Sequence, residues 1–570
     1  MAQKASRETI IRKMIKIAYN IDEPHDWQVE IIYQLCYQRS TSLCIQATGG
    51  GKSLLVLGAM ALLRLVAIVI EPLKGIGTDQ ASSARASCPK GMHAFDVDGL
   101  PEEDSARVIE VLEQLTADSN SAVILYMSPQ SLSEGRPWSG VISRLFSKSL
   151  VNLVAFDEAD SVPEDGFVFR KEFALLKQNL VQKALDSPKQ VPMLAMTATL
   201  TVKLKEEFEE MMRVKFLPSC ILWGNTSRVD DLRMTLYVGN KVADSIKTKA
   251  KRHLEEDDRK VVFGANQKKR VKSKQGLTTG MNQYFQSKSP DNPREAVAYH
   301  GDLGGIVRRY YVHSLSSPEP SEHLNLALLN TTSAGFRGLN AKGVGLTAFD
   351  GFPMSLVDLA QFMGRVRSAA PEGRLDHEFF LAVSANSLAN AIVQIHLDGH
   401  KGNRQRRLAA LWEVLELVAV PRTCVHGALK MHFSKDGKDD DSTCEWCWYC
   451  ARCSNGKCKK CYDCWSRPAK DEIIAAISAA VNGAKASAMD LVKALSKKEC
   501  PMKLTANQAH RPFPQLAAQK LLQYEVIDSS KEGDKEKDLS VVWCWNVVRG
   551  RCVHTGRDSR SYWHQILGEQ

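Results

Sequence analysis

The sequence lacks any apolar run long enough to cross a membrane. Its longest such stretch, residues 54–70, is interrupted by Arg64, whereas a transmembrane helix needs about 20 apolar residues. The N-terminus has no apolar core of a secretory signal, because charged and apolar residues alternate there as in an amphipathic helix. We find no internal repeat. We therefore expect an intracellular protein without membrane contact, and we interpret its 15 cysteines as thiols or metal ligands.

An excess of acidic residues is also missing. The chain has 75 Lys and Arg residues against 65 Asp and Glu residues, a formal net charge of +10, which favours an anionic partner. The basic run at 268–274 points to nucleic acid, although such a run is often a solvated loop. With 570 residues, of which 44% are hydrophobic, the chain is long enough for several globular domains.

Residues 47–53 read Ala-Thr-Gly-Gly-Gly-Lys-Ser and lie between two apolar runs. The run before them predicts a buried strand and the run after them a helix. A glycine-rich loop at that junction lets backbone N–H groups surround a phosphate, and the helix dipole adds positive potential. Lys52 would then contact the β- and γ-phosphates, and the Ser53 hydroxyl would bind Mg²⁺. The residues predicted to bind ATP here are Thr48, Gly49, Gly50, Gly51, Lys52, Ser53 and Leu54.

An acidic cluster, Asp157-Glu158-Ala159-Asp160, directly follows the apolar run 153–156. Ligand chemistry in α/β sheets lies at the carboxyl ends of the strands. We predict that Asp157 holds Mg²⁺ through water and that Glu158 orients or deprotonates the attacking water. Paired acids after a strand are often a solvated turn, but the upstream phosphate loop decides against that alternative. The two motifs together predict ATP hydrolysis.

Strand-like runs alternate with helical patterns as far as residue 395, which predicts an α/β fold with parallel sheets. A polar break at 225–231 separates two sets of runs, namely 66–70, 123–126, 153–156 and 193–196, then 261–263, 326–329 and 345–349. Residues 275–292 are rich in Gly, Ser and Gln and are predicted to form a loop. The predicted domains are 1–222, 223–395, 396–466 and 467–570.

The order of further motifs resembles superfamily-2 helicases, and the RecQ family in particular, over residues 15–465. The matching segments are 28–32, 71–80, 126–130, 197–199, 298–301 and 334–340, followed by Gln361, Gly364 and Arg365. The resemblance implies two tandem RecA-like domains with parallel sheets, followed by a zinc-binding helical subdomain and a small C-terminal α+β region. It also implies that segment 126–130 contacts the DNA backbone.

The RecQ resemblance further assigns roles to individual residues. Gln28 would read the adenine base, and Gln361, Arg365 and Arg367 would belong to the motif that presents an arginine to the γ-phosphate. The implied cofactors are ATP, Mg²⁺ and Zn²⁺. Single-stranded and duplex DNA are the implied partners, and the expected location is the nucleus.

Cysteine spacing predicts a metal site in the third domain. Cys444, Cys447 and Cys450 form two Cys-x₂-Cys intervals, a spacing that aims thiolates at one tetrahedral ion. RecQ proteins carry one zinc site of this layout, so the resemblance implies a structural zinc on Cys424, Cys444, Cys447 and Cys450 that organises the helix at 404–420. A second zinc on Cys453, Cys458, Cys461 and Cys464 is open, as is exchange of ligands between the sets, with His426 and His432 as alternatives.

The sequence departs from the RecQ pattern in three places, which involve four residues. Asp160 replaces a His, a change we expect to be tolerated. Glu164 and Asp165 replace a Gln and a Trp in the aromatic-rich loop, which should weaken the coupling of DNA binding to hydrolysis. The second arginine of the final motif, Arg367, comes one residue early, so its role is open.

Residues 467–570 are predicted to form helices at 480–496 and 515–524 and a strand at 541–545. Either a winged-helix domain or a helical appendage would fit. The leading functional prediction is a 3′–5′ DNA helicase or translocase. A nucleic-acid-binding protein with an impaired motor is the second, and an RNA helicase is the third, against which the zinc layout and Asp79-Gln80 argue.

Overall fold

A computed structural model describes most of the chain. The described residues are 2–47, 49–71, 76–133, 135–166, 175–224, 232–256, 259–266, 271, 277–290, 294–300, 302–316, 325–332, 343–366, 377–397, 401–419, 424–436, 447, 486–496, 508–510, 513–514, 517, 522–528 and 539–545. Several predicted sites lie outside them: Thr48, most of the basic run, 334–340, Arg367 and all candidate zinc cysteines except Cys424 and Cys447. Within the described ranges, no helix is long and apolar enough to span a bilayer.

The first lobe is built on a parallel sheet of seven strands in the order β3-β4-β2-β5-β6-β1-β7. Its strands are β1 (Ser42–Ile45), β2 (Leu65–Ile70), β3 (Met92–Asp96), β4 (Ala122–Met127), β5 (Val151–Phe156), β6 (Met193–Thr197) and β7 (Ile221–Trp223). The four runs predicted for this sheet are confirmed as β2, β4, β5 and β6. No predicted run corresponds to β3 or β7, and the predicted domain boundary at 222 falls within β7.

Helices cover both faces of this sheet, because successive strand residues point to opposite sides. In β2, Ala67 and Val69 belong to the apolar cluster formed with α1–α4, whereas Val66 and Ile68 face the cluster formed with α5, α6 and α9. The helices of this lobe are α1 (Ala2–Tyr19), α2 (Asp26–Tyr37), α3 (Ser53–Leu63), α4 (Ile76–Ser87), α5 (Glu102–Glu113), α6 (Pro137–Ser147), α7 (Ser161–Gly166), α8 (Gln182–Leu185) and α9 (Val202–Met212).

The second lobe is a parallel sheet of six strands in the order β10-β11-β9-β12-β13-β8. Its strands are β8 (Arg233–Val238), β9 (Lys260–Ala265), β10 (Glu295–Tyr299), β11 (Leu326–Thr332), β12 (Val344–Asp350) and β13 (Glu378–Val383). The helices are α10 (Val242–Glu256), α11 (Leu277–Lys288), α12 (Gly305–Ser316), α13 (Leu356–Met363) and α14 (Ala385–Leu397). The prediction of two parallel α/β sheets is therefore confirmed.

The loop predicted at 275–292 is wrong, because α11 occupies most of that segment. Its buried residues Leu277, Met281 and Phe285 recur every four positions, the spacing of one helix face. The small polar residues between these three give the segment the composition of a loop, although the apolar residues have the spacing of a helix.

Two helices follow the second lobe, α15 (Lys401–Ala419) and α16 (Val425–Phe433). The first confirms the helix expected at 404–420. Both helices touch the first lobe: Arg406 forms an ion pair of 2.6 Å with Glu207, and Trp223 Nε1 donates a 2.8 Å hydrogen bond to the Phe433 carbonyl. These contacts tie the helices beyond the second lobe back to the first.

Beyond residue 485 the structure describes β14 (Ala486–Ser487), α17 (Ala488–Ser496), β15 (Leu522–Asp528) and β16 (Leu539–Trp545). The strands form an antiparallel sheet in the order β14-β16-β15. The predicted strand at 541–545 is confirmed. The helix predicted at 480–496 begins only after β14 where described, and the helix predicted at 515–524 is wrong at its end, because Leu522–Asp528 is a strand that pairs with β16.

Candidate functional site

The glycine-rich segment forms the turn between β1 and α3, as predicted. Gly49 and Gly51 have φ angles of 77° and 88°, a left-handed backbone that glycine adopts readily. A Cβ atom at Gly51 would lie 2.6 Å from Nε2 of Gln28. The loop therefore requires glycine both for its backbone and for its close approach to Gln28.

Lys52 and Ser53 follow at the start of α3. The Lys52 ammonium donates hydrogen bonds to the carbonyls of Gln46, at 2.8 Å, and Ala47, at 3.3 Å. Ser53 is the first residue of α3 and its side chain is exposed. A phosphate held by the loop would lie at the positive end of this helix, and Lys52 would reach it by exchanging its bonds to the loop carbonyls.

Gln28 lies against the loop instead of facing open solvent. Its side chain is 4% exposed; Nε2 donates to the Gly51 carbonyl at 3.0 Å, and Oε1 accepts from the His25 N–H at 2.9 Å. Gln28 thus links the start of α2 to the phosphate loop. Its predicted contact with an adenine base stays a prediction.

The acidic cluster follows the carboxyl end of β5, and β6 lies between β5 and β1, the strand that precedes the phosphate loop. Asp157 Oδ2 accepts a 2.5 Å hydrogen bond from Gln80 Nε2. Burial and the neighbouring Glu158 carboxylate raise the pKa of Asp157, while Gln80 and Lys52 act in the opposite direction. Two adjacent carboxylates with little water around them suit a divalent cation, which would offset their repulsion. Gln80 belonged to a predicted motif, but its contact with Asp157 was not foreseen.

Glu158 has a φ angle of 45°, a left-handed conformation that is unusual for a residue with a long side chain. Such backbone strain concentrates at functional sites. Its Oε2 atom is buried and has no hydrogen-bond partner among the described residues, so it is available to a ligand. The geometry fits the predicted role of Glu158 as the group that contacts water.

Arg365 brings the second lobe into this site. It follows the C-cap of α13, is 3% exposed, and places Nη2 3.9 Å from Oε1 of Glu158. Burial lowers the pKa of Arg365, and the carboxylates of Glu158, Asp157 and Asp160 oppose that shift. An arginine stays charged in proteins, so a buried positive charge faces the acidic cluster from across the cleft.

Asp160 joins more elements than any other acid of the cluster. It is fully buried, and its carboxylate accepts hydrogen bonds from Thr197 Oγ1 at 2.5 Å, Thr199 Oγ1 at 2.8 Å and Gln361 Nε2 at 3.0 Å. Two carboxylate oxygens can accept all three bonds, which the single acceptor nitrogen of a neutral histidine cannot do. The sequence pattern predicts only a tolerated replacement at Asp160 and gives no sign of this role.

The segment 126–130 contains a second polar network. Asp98 accepts from the Ser128 N–H at 2.6 Å, from the Ser128 hydroxyl at 3.0 Å and from the Ser131 hydroxyl at 2.6 Å. Ser128 is 2% exposed. Asp98 therefore fixes the turn after β4, a role without any sequence signal, while the predicted DNA contact stays a prediction.

Two of the eight candidate zinc cysteines are described. Cys424 and Cys447 are buried, and their sulfur atoms lie 4.0 Å apart. That is too long for a disulfide but close to the separation of about 3.8 Å that two thiolates have on one tetrahedral zinc with Zn–S bonds of about 2.3 Å. These two residues fit the predicted ion. Within the part of the chain that the structure describes, no three His, Cys, Asp or Glu side chains are grouped as a metal site.

The two parallel-sheet lobes, with the glycine-rich loop and the acidic cluster between them, have the fold of solved helicase structures. Helicase Lhr of Mycobacterium smegmatis, solved with single-stranded DNA and AMP-PNP, superimposes with a TM-score of 0.50 at 18% identity, over 70% of this chain and 50% of that chain. Mss116p, solved with single-stranded RNA and AMP-PNP, gives 0.51 at 17% identity, over 72% of this chain and 81% of that chain. At these identities the likeness shows the fold.

Residues 25–208 match the DEAD/DEAH box helicase family. Among curated proteins, the chain is 27% identical over 223 residues to ATP-dependent DNA helicase Q-like 2 of Arabidopsis thaliana, covering 38% of this chain and 30% of that protein. With Q-like 5 of the same plant it shares 26% over 377 residues, covering 66% and 37%. The aligned regions thus span about a third of these relatives' length. The chain carries a DEAD/DEAH box helicase domain and is a divergent relative of RecQ-like DNA helicases.

Proposed function

We propose that this protein is an ATP-dependent DNA helicase or translocase of the RecQ type, which moves 3′ to 5′ along DNA in the nucleus. ATP and Mg²⁺ are the cofactors expected of a DEAD/DEAH box helicase domain. The similarity to proteins named as DNA helicases supports DNA as the substrate, and the net charge of +10 suits an anionic partner.

The cross-lobe approach of Arg365 to Glu158 carries the proposal. The 3.9 Å separation places a guanidinium beside the carboxylate expected to contact the attacking water. A positive charge at that point stabilises the charge that develops on a transferring phosphoryl group. Because Arg365 and Glu158 come from different lobes, the rate of hydrolysis would depend on the relative position of the two lobes. A motor requires such a coupling between lobe movement and hydrolysis.

The residues around this pair have separate tasks. The backbone of Gly49–Gly51 and the Lys52 ammonium would hold the β- and γ-phosphates. Ser53 and Asp157 would hold Mg²⁺, which supplies charge neutralisation when bound. Glu158 would orient the water or take its proton. The hydrogen bond from Gln361 to Asp160 would couple the acidic cluster to the position of the second lobe.

We also propose a structural zinc on Cys424, Cys444, Cys447 and Cys450. The 4.0 Å separation of the Cys424 and Cys447 sulfur atoms supports it. Cys453, Cys458, Cys461 and Cys464 have the spacing for a second ion. The first ion would anchor the start of α16, which contacts the first lobe through Trp223, and so would hold the helices beyond the second lobe in place.

The decisive test is steady-state ATP hydrolysis with and without single-stranded DNA. We expect DNA to stimulate turnover, Lys52→Ala to abolish it, and exposed Lys13→Ala to leave it unchanged. Duplexes with a 3′ tail should be unwound and duplexes with a 5′ tail should not. Matched RNA strands should compete poorly; effective competition by RNA would instead favour an RNA helicase.

One observation favours a second candidate, a nucleic-acid-binding protein on a helicase scaffold with an impaired motor. Glu164 and Asp165 place acids in the loop that would sense DNA, and an acid cannot stack on a base as an aromatic ring does. This candidate predicts binding of ATP and DNA with flat hydrolysis. Strong stimulation by DNA would eliminate it.

A further inference from the structure

Three polar contacts join α13 and the residues that flank it in the second lobe to residues 158–164 of the first. Arg365 lies 3.9 Å from Glu158, Gln361 lies 3.0 Å from Asp160, and Ser355 Oγ lies 3.5 Å from Glu164 Oε1. From the first contact to the third, the residue number falls from 365 to 355 in the second lobe and rises from 158 to 164 in the first lobe. The two segments therefore run antiparallel across the cleft, and each contact involves a carboxylate from the first lobe.

The first two contacts belong to the nucleotide site, but the third does not. Ser355 lies at the opposite end of α13 from Arg365, and Glu164 lies within α7, beyond the acidic cluster. An eight-residue α-helix is about 12 Å long, so this contact acts at a distance from the reacting atoms. No motif in the chain assigns it a role.

We propose that Glu164 is a positioning residue, which orients α13 through Ser355 and so places Arg365 and Gln361 over the acidic cluster. The proposal rests on the proposed function, because it concerns the same hydrolysis site. It gives a role to one of the two acids that depart from the RecQ pattern in the segment after the acidic cluster.

The chemistry at the start of α13 favours this arrangement. Ser355 is the N-cap: its hydroxyl oxygen accepts from the Asp358 N–H at 3.1 Å, which leaves the hydroxyl proton to donate to Glu164. A carboxylate near a helix N-terminus is also stabilised by the helix dipole. Glu164 is thus placed to accept from the capping residue at the positive end of the helix.

A change at Ser355 would reach Arg365 because α13 moves as a unit. Leu359 and Phe362 are fully buried, and the Phe362 ring stacks on Phe349 with 4.4 Å between centroids. After the C-cap, the Arg365 N–H still donates to the Phe362 carbonyl at 3.3 Å. Packed elements of this kind shift as rigid bodies, so tilting one end displaces the guanidinium at the other.

Steady-state hydrolysis and hydrogen exchange on the full-length chain test the proposal. We expect Glu164→Ala to lower kcat about fivefold with less than a twofold change in the KM for ATP, since it misplaces a group that acts in the transition state. Glu164→Gln should keep kcat within about twofold of the parent because its amide oxygen still accepts from Ser355. Exposed Glu206→Ala is the matched control.

A pair of substitutions separates positioning from general stability. If Glu164 acts through Ser355, then Glu164→Ala combined with Ser355→Ala should lower kcat no more than the larger single effect, because the contact is lost once. A multiplied effect would overturn the proposal, as would a Glu164→Ala kcat within twofold of the parent. A loss confined to KM would overturn it as well.

Exchange of the α13 amides decides the matter independently of activity. Glu164→Ala should speed exchange in a peptide covering 355–365 at least threefold, and Glu164→Gln and Glu206→Ala should not. Unchanged protection in Glu164→Ala would overturn the proposal. If the parent protein hydrolyses no ATP, the proposed function fails, while this exchange measurement still tests the contact itself.

Discussion

Oδ2 of Asp160 in the first lobe accepts a 3.0 Å hydrogen bond from Nε2 of Gln361 in the second lobe. The same oxygen accepts a 2.8 Å bond from Thr199 Oγ1, on the loop after β6. One fully buried atom thus connects the strand end next to the phosphate loop with the helix that leads to Arg365. The two lobes meet at a polar contact that has no water around it to replace a lost bond.

Asp160→Ala should destabilise the protein and slow hydrolysis. It leaves the hydroxyls of Thr197 and Thr199 and the Gln361 amide without their acceptor, and each buried unsatisfied group costs about 1–3 kcal/mol. We expect the free energy of unfolding to fall by at least about 1 kcal/mol on that scale, and kcat to fall more than the KM for ATP rises. Thermal unfolding and steady-state kinetics check this, with exposed Asp118→Ala as the control. Unchanged unfolding would show that the network contributes nothing.

Glu158→Gln should retain ATP but not hydrolyse it. The amide keeps the size of the side chain, but it cannot accept a proton from water, and the loss of such a group typically costs 10²–10⁴ in rate. We expect nucleotide to stay bound through rapid filtration while single-turnover hydrolysis falls about 100-fold or more. Glu206→Gln is the matched control. Normal turnover in Glu158→Gln would remove Glu158 from the catalytic residues.

Asp157→Asn should abolish hydrolysis and yet stabilise the protein at neutral pH. Burial and Glu158 raise the pKa of Asp157, so the folded state binds this proton more tightly than the unfolded state does. Stability therefore falls as the pH rises through the raised pKa, and the loss persists above it. Asparagine cannot ionise, which removes the loss at pH 7 and leaves little difference at a pH below the ordinary Asp value.

Melting temperatures measured without divalent cations at pH 7 and in mild acid check this expectation. A gain of about 1 kcal/mol would raise Tm by about 2–4 °C in a domain of this size. The exposed Asp118→Asn should show no such gain. An Asp157→Asn variant that melts at or below the parent temperature at pH 7 would contradict the direction of the pKa shift.

Much of this site could be predicted from the sequence because its parts are local. A phosphate loop needs consecutive glycines followed by Lys52 and Ser53, and paired acids after an apolar run identify the end of a strand. The strands could also be predicted, because parallel strands that are buried on both faces have continuous apolar sequences. Each of these signals lies within about ten neighbouring residues.

Contacts between distant residues left no such signal. Gln80 reaches Asp157 across 77 positions, Gln361 reaches Asp160 across 201, and Glu164 reaches Ser355 across 191. Gln80, Gln361 and Asp160 belong to sequence motifs, but the motifs do not indicate which side chains these residues contact. Only the packing of one lobe on the other, or of α4 on the nucleotide site, reveals which polar atoms meet.

Cys447→Ser should remove zinc and loosen the helices beyond the second lobe. The Cys424 and Cys447 sulfur atoms lie 4.0 Å apart in a buried setting, so replacing one thiolate by a hydroxyl takes a soft ligand from a closed tetrahedral site. Zinc content measured by atomic emission should fall by one ion per chain. Cys88→Ser, at a free cysteine of the first lobe, should leave it unchanged.

The same variant should also lower Tm, because the binding free energy of a structural zinc is part of the folding free energy. The loss should be largest around α16, whose carbonyl at Phe433 accepts from Trp223, so the Trp223 fluorescence should change with the metal. If the purified parent protein contains no zinc, the proposal of a structural zinc is wrong. If the zinc content of Cys447→Ser is unchanged, Cys447 is not a ligand and His426 becomes the candidate in its place. Both ring nitrogens of His426 are buried and have no hydrogen-bond partner among the described residues.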